Sequence, residues 1–155
     1  MIELPDVSAL RDRIGQEIAV SDWFAIGQER ITQFAETTED RQWIHVDAAR
    51  AAAESPYGTT IAHGFLTLSM VSALLRNAIR LPAQRMGINY GLNRVRFMAA
   101  VPSGSRVRGR FVPSEIKDVK GGYQVVWTIT IDREGSERPC CVAEWVVRYL
   151  VDEAR

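Results

Sequence analysis

The chain has 155 residues, of which 46% are apolar and 25% charged. That is enough for one packed core and too apolar for a disordered chain. Nineteen Lys and Arg balance nineteen Asp and Glu, so no global field draws nucleic acid or an anionic membrane. The two cysteines, Cys140 and Cys141, are adjacent. In a strand they point to opposite faces, where a mutual disulfide would be strained. They read as reduced thiols. With no basic leader and no apolar run long enough to span a bilayer, the chain is expected to be cytoplasmic.

Ser8 to Gly15 reads as a short polar helix or turn, with Ser8 as its cap. Glu17 to Phe24 suits a first strand, with Ile18 and Val20 in alternation. Gln28 to Thr37 places Ile31, Phe34 and Ala35 at helical spacing. The polar stretch Thr37 to Gln42 is expected to be a loop or a frayed helix end. Asp47 is a good cap for a small helix, Ala48 to Glu54, and Ser55-Pro-Tyr-Gly58 is a turn.

From Gly64 to about Ile79 the chain is apolar almost all round, with Phe65, Leu66, Leu68, Met70, Val71, Ala73, Leu74 and Leu75. Such a helix is expected to be buried on every side. Four strand-like segments follow Leu81-Pro82: Met86 to Ala99, Ser105 to Val112, Tyr123 to Asp132, and Cys140 to Leu150. Gly121-Gly122 and Glu134-Gly135-Ser136 read as hairpin turns. A strand, a buried helix and then an antiparallel meander make an α+β pattern in a single domain. No repeat or linker divides it.

Two stretches carry possible chemistry. Asp40 and His45, five residues apart on the polar segment, could converge on a water as a general acid/base pair. A surface aspartate and a histidine plugging a loop is the commoner meaning of such spacing. Gly64 opens the apolar helix, where amides lack intrahelical partners and partial positive charge collects. Glycine there lets a ligand oxygen approach the backbone. An ordinary helix start with His63 packed beside it is again the plainer alternative. Together the pieces supply what proton abstraction next to a carbonyl requires.

The motif Phe34-Ala-x-x-Thr-x-Asp40-x-Gln42-Trp-Ile-His45-x-Asp47, followed by Gly58-Thr-Thr-Ile-Ala-His63-Gly64-Phe-x-Thr, closely resembles the MaoC-like dehydratases, or (R)-specific enoyl-CoA hydratases. Ile88-Asn-Tyr-Gly-Leu-Asn-Arg-Val-Arg-Phe97, with Val101-Pro-x-Gly-Ser-Arg-Val, resembles the branch of nodulation protein N and mycobacterial 3-hydroxyacyl-thioester dehydratases. The resemblance runs over nearly the whole chain. It implies a hot-dog fold, with a sheet wrapped round the central helix, and a homodimer. It also implies an acyl-thioester substrate, carried by coenzyme A or acyl carrier protein, bound near the subunit interface. By the same resemblance, Asp40 and His45 would activate the water added across a trans-2 double bond. The Gly64 amide would bind the thioester carbonyl. Gln42, His63, Ser72 and Phe97 would complete the substrate site, with Ser72 supporting the catalytic loop. It implies no metal and no other cofactor.

The chain also departs from the family pattern. Many hydratases have glycine where Glu39 stands, so a positive φ there would be harder to meet, and Glu39 sets a second carboxylate beside Asp40. Met98-Ala99-Ala100 replaces a usual Pro-Ala-Pro at the rim of the acyl tunnel. Arg94, Arg96, Arg106, Arg108 and Arg110 make a basic stripe on two strands. One or two of them could meet coenzyme A phosphates, although a solvated face is the plainer reading. A hot-dog thioesterase and a non-catalytic acyl-CoA binding protein stay open as alternatives.

Overall fold

The computed structural model describes residues 1–151. Its main sheet has six strands. β2 (Ala19–Val20) and β3 (Phe24–Ile26) both pair with β6 (Ser105–Val119). From β6 the sheet continues through β7 (Gly122–Arg133) and β8 (Cys141–Val151) to β5 (Gln84–Phe97) at the edge, every neighbour antiparallel. A small parallel pair, β1 (Ile2–Glu3) with β4 (Ile79–Arg80), ties the N-terminus to the end of the helical layer. The helices are a 3-10 turn (Val7–Arg13), α1 (Gln28–Thr38), α2 (Trp43–Val46), α3 (Ala48–Glu54), α4 (Gly64–Ser69) and α5 (Val71–Ala78). α4 and α5 lie in the hollow of the curved sheet. This is the hot-dog arrangement.

Alternation along the strands builds the core. Val107, Gly109 and Phe111 of β6 face inward with Val125, Trp127, Ile129 and Ile131 of β7 and Cys141, Ala143, Trp145, Val147 and Tyr149 of β8. Leu74 of α5 packs onto this surface at Gly109. A Cβ added to Gly109 would lie 3.2 Å from Leu74 Cβ and 2.8 Å from the Phe111 ring, so the missing side chain is what lets the helix settle.

Several expectations shift. The first strand is split: Ser21 donates its N–H to the Gly109 carbonyl and accepts the Gly109 N–H on Oγ. β3 therefore begins only at Phe24. The 3-10 turn is capped by Asp6, whose carboxylate accepts from Ala9 N–H and from Ser8 Oγ–H, so Ser8 is not the cap. β6 runs past Val112 to Val119 because the register slips between Pro113 and Glu115 and absorbs the proline.

The central helix is not continuous. Ser69 Oγ–H donates to the Phe65 carbonyl and Thr67 Oγ–H to the His63 carbonyl, bonds of the kind that bend helices. The joint falls at Met70. Nor is the helix buried all round. Leu66, Val71, Leu74, Leu75 and Ala78 face the sheet, whereas Phe65 is 69% exposed.

The meander is β6–β7–β8 alone. β5 precedes it in the chain but pairs with β8, because residues 98–104 form a loop too extended for a hairpin. β5 and β6 are thus separated by two strands, and the five arginines do not form one stripe. Arg106 pairs with Glu134, Arg108 with Asp132, and Arg110 with both Glu17 and Asp132, a solvated ion-paired face. Among the described residues no helix is long and apolar enough to cross a membrane.

Candidate active site

α1 buries Ile31 and Ala35 and ends where Thr37 and Thr38 turn their hydroxyls back onto the Gln33 and Phe34 carbonyls. Glu39 follows at φ 62°, ψ 13°. This left-handed cap reverses the chain, and a glycine would adopt it freely. The exposed Asp40 comes next. Gln42, also exposed, caps the unforeseen helix α2 by accepting the His45 N–H on its carbonyl at 2.9 Å.

α2 drives His45 inward, to 6% exposure. Its Nδ1 lies 2.7 Å from the Ile61 carbonyl. A carbonyl can only accept, so Nδ1 carries the proton and the neutral ring keeps its lone pair on Nε2. Burial pulls the His45 pKa below its ordinary value and His63 adds to that, while the Ile61 carbonyl and Asp40 oppose it. His45 is therefore a neutral base at pH 7.

His63 ends the extended segment before α4 and is 3% exposed. Its Nε2–H donates to the Asp40 backbone carbonyl at 2.9 Å. Its ring stacks on His45, centroids 3.7 Å apart and planes 25° off parallel, and Phe34 tilts against it at 4.9 Å. The Asp40 carboxylate and the two imidazoles bring nitrogen and oxygen atoms within 4.8 Å of one another. These are ligand types for a metal. However, a ring nitrogen binds an ion in the plane of its ring, and these two planes are stacked nearly parallel with ring centroids 3.7 Å apart, so both rings do not meet one ion at about 2 Å.

Backbone bonds hold the segment. Ala62 N–H donates to the Val101 carbonyl at 2.8 Å, Ser103 N–H to the Thr60 carbonyl at 2.9 Å, and Ile61 bridges Pro102. Gln28 links the two sides: its Nε2–H donates to the His45 carbonyl at 2.8 Å, and its Oε1 accepts from Thr60, whose hydroxyl is buried. Gln28 and Thr60 were not singled out in the sequence. A polar residue opening α1 and a threonine before Ile61-Ala-His are ordinary until the fold sets them together.

A cleft of about 330 Å³ opens beside Gly64, lined by Tyr57, Ile61, Thr67, Phe97, Met98 and Cys140 among others. Its Ile61–Gly64 wall is the segment that carries His63 and receives the His45 hydrogen bond. A Cβ on Gly64 would meet the Phe97 ring at 3.0 Å. Burial pushes the Cys140 thiol up to about 12 and the Cys141 thiol up to about 11, and both are free. Ser72 lies elsewhere. It faces a groove shared with Asn89 and Trp145, whose two hollows measure about 300 and about 220 Å³. The fold thus gathers Asp40, Gln42, His45, His63, Gly64 and Phe97 at one end of α4 and sets Ser72 along α5.

Residues 9–134 match the model of the MaoC like domain. The chain belongs to that family. It is 49% identical to nodulation protein N of Rhizobium leguminosarum bv. viciae over 154 residues, covering 97% of this chain and 93% of the relative. It is 46% identical to the 3-hydroxyacyl-thioester dehydratase Z of Mycobacterium tuberculosis over 145 residues, covering 93% and 95%. Among solved structures, the (R)-hydratase from A. caviae involved in PHA biosynthesis superposes with a TM-score of 0.70 at 26% identity, covering 86% of this chain and 94% of that one. Dehydratases and hydratases run one reversible reaction in opposite directions, and MaoC-like relatives with these names make this chain a hydro-lyase.

Proposed function

We propose that this MaoC-like chain adds water to trans-2-enoyl thioesters, giving (R)-3-hydroxyacyl thioesters, and catalyses the reverse dehydration. The observation that carries the proposal is the fixed tautomer of His45. With Nδ1–H given to the Ile61 carbonyl, Nε2 is a free base, and a nitrogen of this ring lies within 4.8 Å of the Asp40 carboxylate. In the forward direction the Asp40/His45 pair takes one proton from water as its oxygen bonds to C3. It then returns one proton to C2, so the elements of water are added and nothing else is consumed. Negative charge builds on the thioester oxygen in between, and the Gly64 amide at the helix start is suited to receive it. Cys140 lines the same cleft, but its raised pKa keeps it a thiol at neutral pH, so it does not compete for the acyl group. The acyl group would be carried by coenzyme A or an acyl carrier protein.

The working unit we propose is a homodimer. β5 is an open edge of 14 residues carrying exposed Met86, Ile88, Tyr90, Leu92 and Phe97. An unprotected apolar edge of that length calls for a partner.

Crotonyl-CoA tests the reaction. Enoyl absorbance should fall without release of free thiol. Thiol release would indicate a thioesterase instead, and no change with any chain length would leave a binding protein.

A further inference from the structure

His63 shares the site with His45 and Asp40, yet its surroundings leave it no face for substrate. One side of the ring lies on His45 and another against Phe34. Its Nε2–H is spent on the Asp40 carbonyl, and the cleft beside Gly64 is lined by its neighbours Ala62 and Gly64 but not by His63 itself. Its buried Nδ1 has no hydrogen-bond partner among the described residues. Such an orphan costs stability and calls for an explanation.

We propose that His63 is a positioning residue, which fixes the backbone of Asp40 and backs the His45 ring so that the acid and base keep their mutual placement. The proposal rests on the hydratase reading for its kinetic readout only. The two histidines donate to carbonyls through different nitrogens, Nδ1 of His45 and Nε2 of His63, which leaves one acceptor nitrogen on each ring. The titratable groups that bear on His45 are Asp40 and His63, while Gln28 and Thr60 beside it are neutral. His63 thus also favours the neutral form of the base.

The chain has only two histidines, so long-range 15N–1H NMR of the unmodified protein reads both tautomers directly. One Nδ1–H and one Nε2–H imidazole are expected, and two identical tautomers would overturn the arrangement. His63→Phe keeps the ring and loses the donor, whereas His63→Gln keeps a donor for the Asp40 carbonyl. We expect His63→Phe to lower kcat about 10- to 100-fold, as small misplacements of catalytic groups do, with KM within about twofold. His63→Gln should recover part of that loss. In both variants the remaining imidazole should titrate at higher pH than His45 does in the parent. A rise in KM with kcat intact would make His63 a substrate contact and refute the proposal, as would unchanged kcat together with an unchanged midpoint. A parent protein inactive on every enoyl thioester strikes the hydratase reading alone, because the tautomers and midpoints still decide the role of His63.

Discussion

The rings of His45 and His63 stack at 3.7 Å, yet they hand their N–H groups to carbonyls on different segments, Ile61 and Asp40. Each histidine therefore ties the other's strand of chain into the site. His45 on α2 holds the segment that bears His63, and His63 holds the loop that bears Asp40.

Removing either member of the pair should stop chemistry without unfolding the protein. Asp40→Asn and His45→Gln are each expected to lower kcat by about two orders of magnitude or more, as loss of an acid/base group does. Circular dichroism should show both variants folded. Near-normal turnover in either would remove the role assigned to that residue.

The acid limb of the pH–rate profile should lie below the ordinary histidine value of 6.5, because burial holds His45 neutral. Stability follows the same linkage. The native pKa lies below the unfolded one, so above 6.5 neither state gains a proton at this site. As pH falls below 6.5 the unfolded chain binds a proton first and the fold loses stability, until pH passes below the native pKa. Denaturant melts at a series of pH values would measure this, and His45→Gln should flatten that part of the curve.

Two glycines should fail in different ways. Gly109→Ala forces Leu74 and Phe111 apart beneath α5, and is expected to cost about 1–3 kcal/mol of stability. Gly64→Ala pushes into the Phe97 ring at the rim of the cleft, and its main expected effect is a lower kcat/KM. A thermal melt and a turnover assay on both variants separate the two effects.

Glu39 holds a left-handed backbone conformation that costs a residue with a side chain roughly 1–2 kcal/mol. Glu39→Gly relieves this but frees the unfolded chain, so a net gain of about 1 kcal/mol is expected. A lower melting temperature in Glu39→Gly would show that the glutamate side chain contributes more than its backbone costs.

A charge on the open edge should split the proposed dimer. Leu92→Arg on β5 is expected to shift sedimentation velocity from two chains to one. A parent protein that sediments as a monomer would refute the homodimer.

Much of this was legible in the sequence, and the gaps have physical causes. Period-two alternation marked β7 and β8 because both faces of those strands meet well-defined environments, core on one side and solvent on the other. Asp47 announced α3 through its side chain, which accepts the Arg50 N–H. The left-handed turn at Glu39 was not foreseen: a glutamate in place of the family's glycine argued against a positive φ, yet the residue adopts φ 62°. Strand order was not legible: local patterning says nothing of whether β5 turns toward β6 or crosses to β8. Helix α2, at four residues, is too short for a periodic signal. The open face of α4 was misread because an apolar side chain that faces a groove or a partner looks the same as one in a core. The link from Gln28 through Thr60 depends on two segments meeting in space, and no spacing encodes that.

The pairing of Ile61 with Pro102 bears on when the site comes into being. Both histidines and the acid leave the ribosome in the first half of the chain, but the segment that braces Thr60 to Ala62 from outside follows β5. A nascent chain ending at α5 holds Asp40, His45 and His63 but not the backbone bonds that Val101 and Ser103 make to Ala62 and Thr60. The histidine pair and its bonds to Ile61 and Asp40 lie within residues 40–63, whereas the brace from Val101 and Ser103 is long-range, so the brace is expected to close last, with the strand contacts around it.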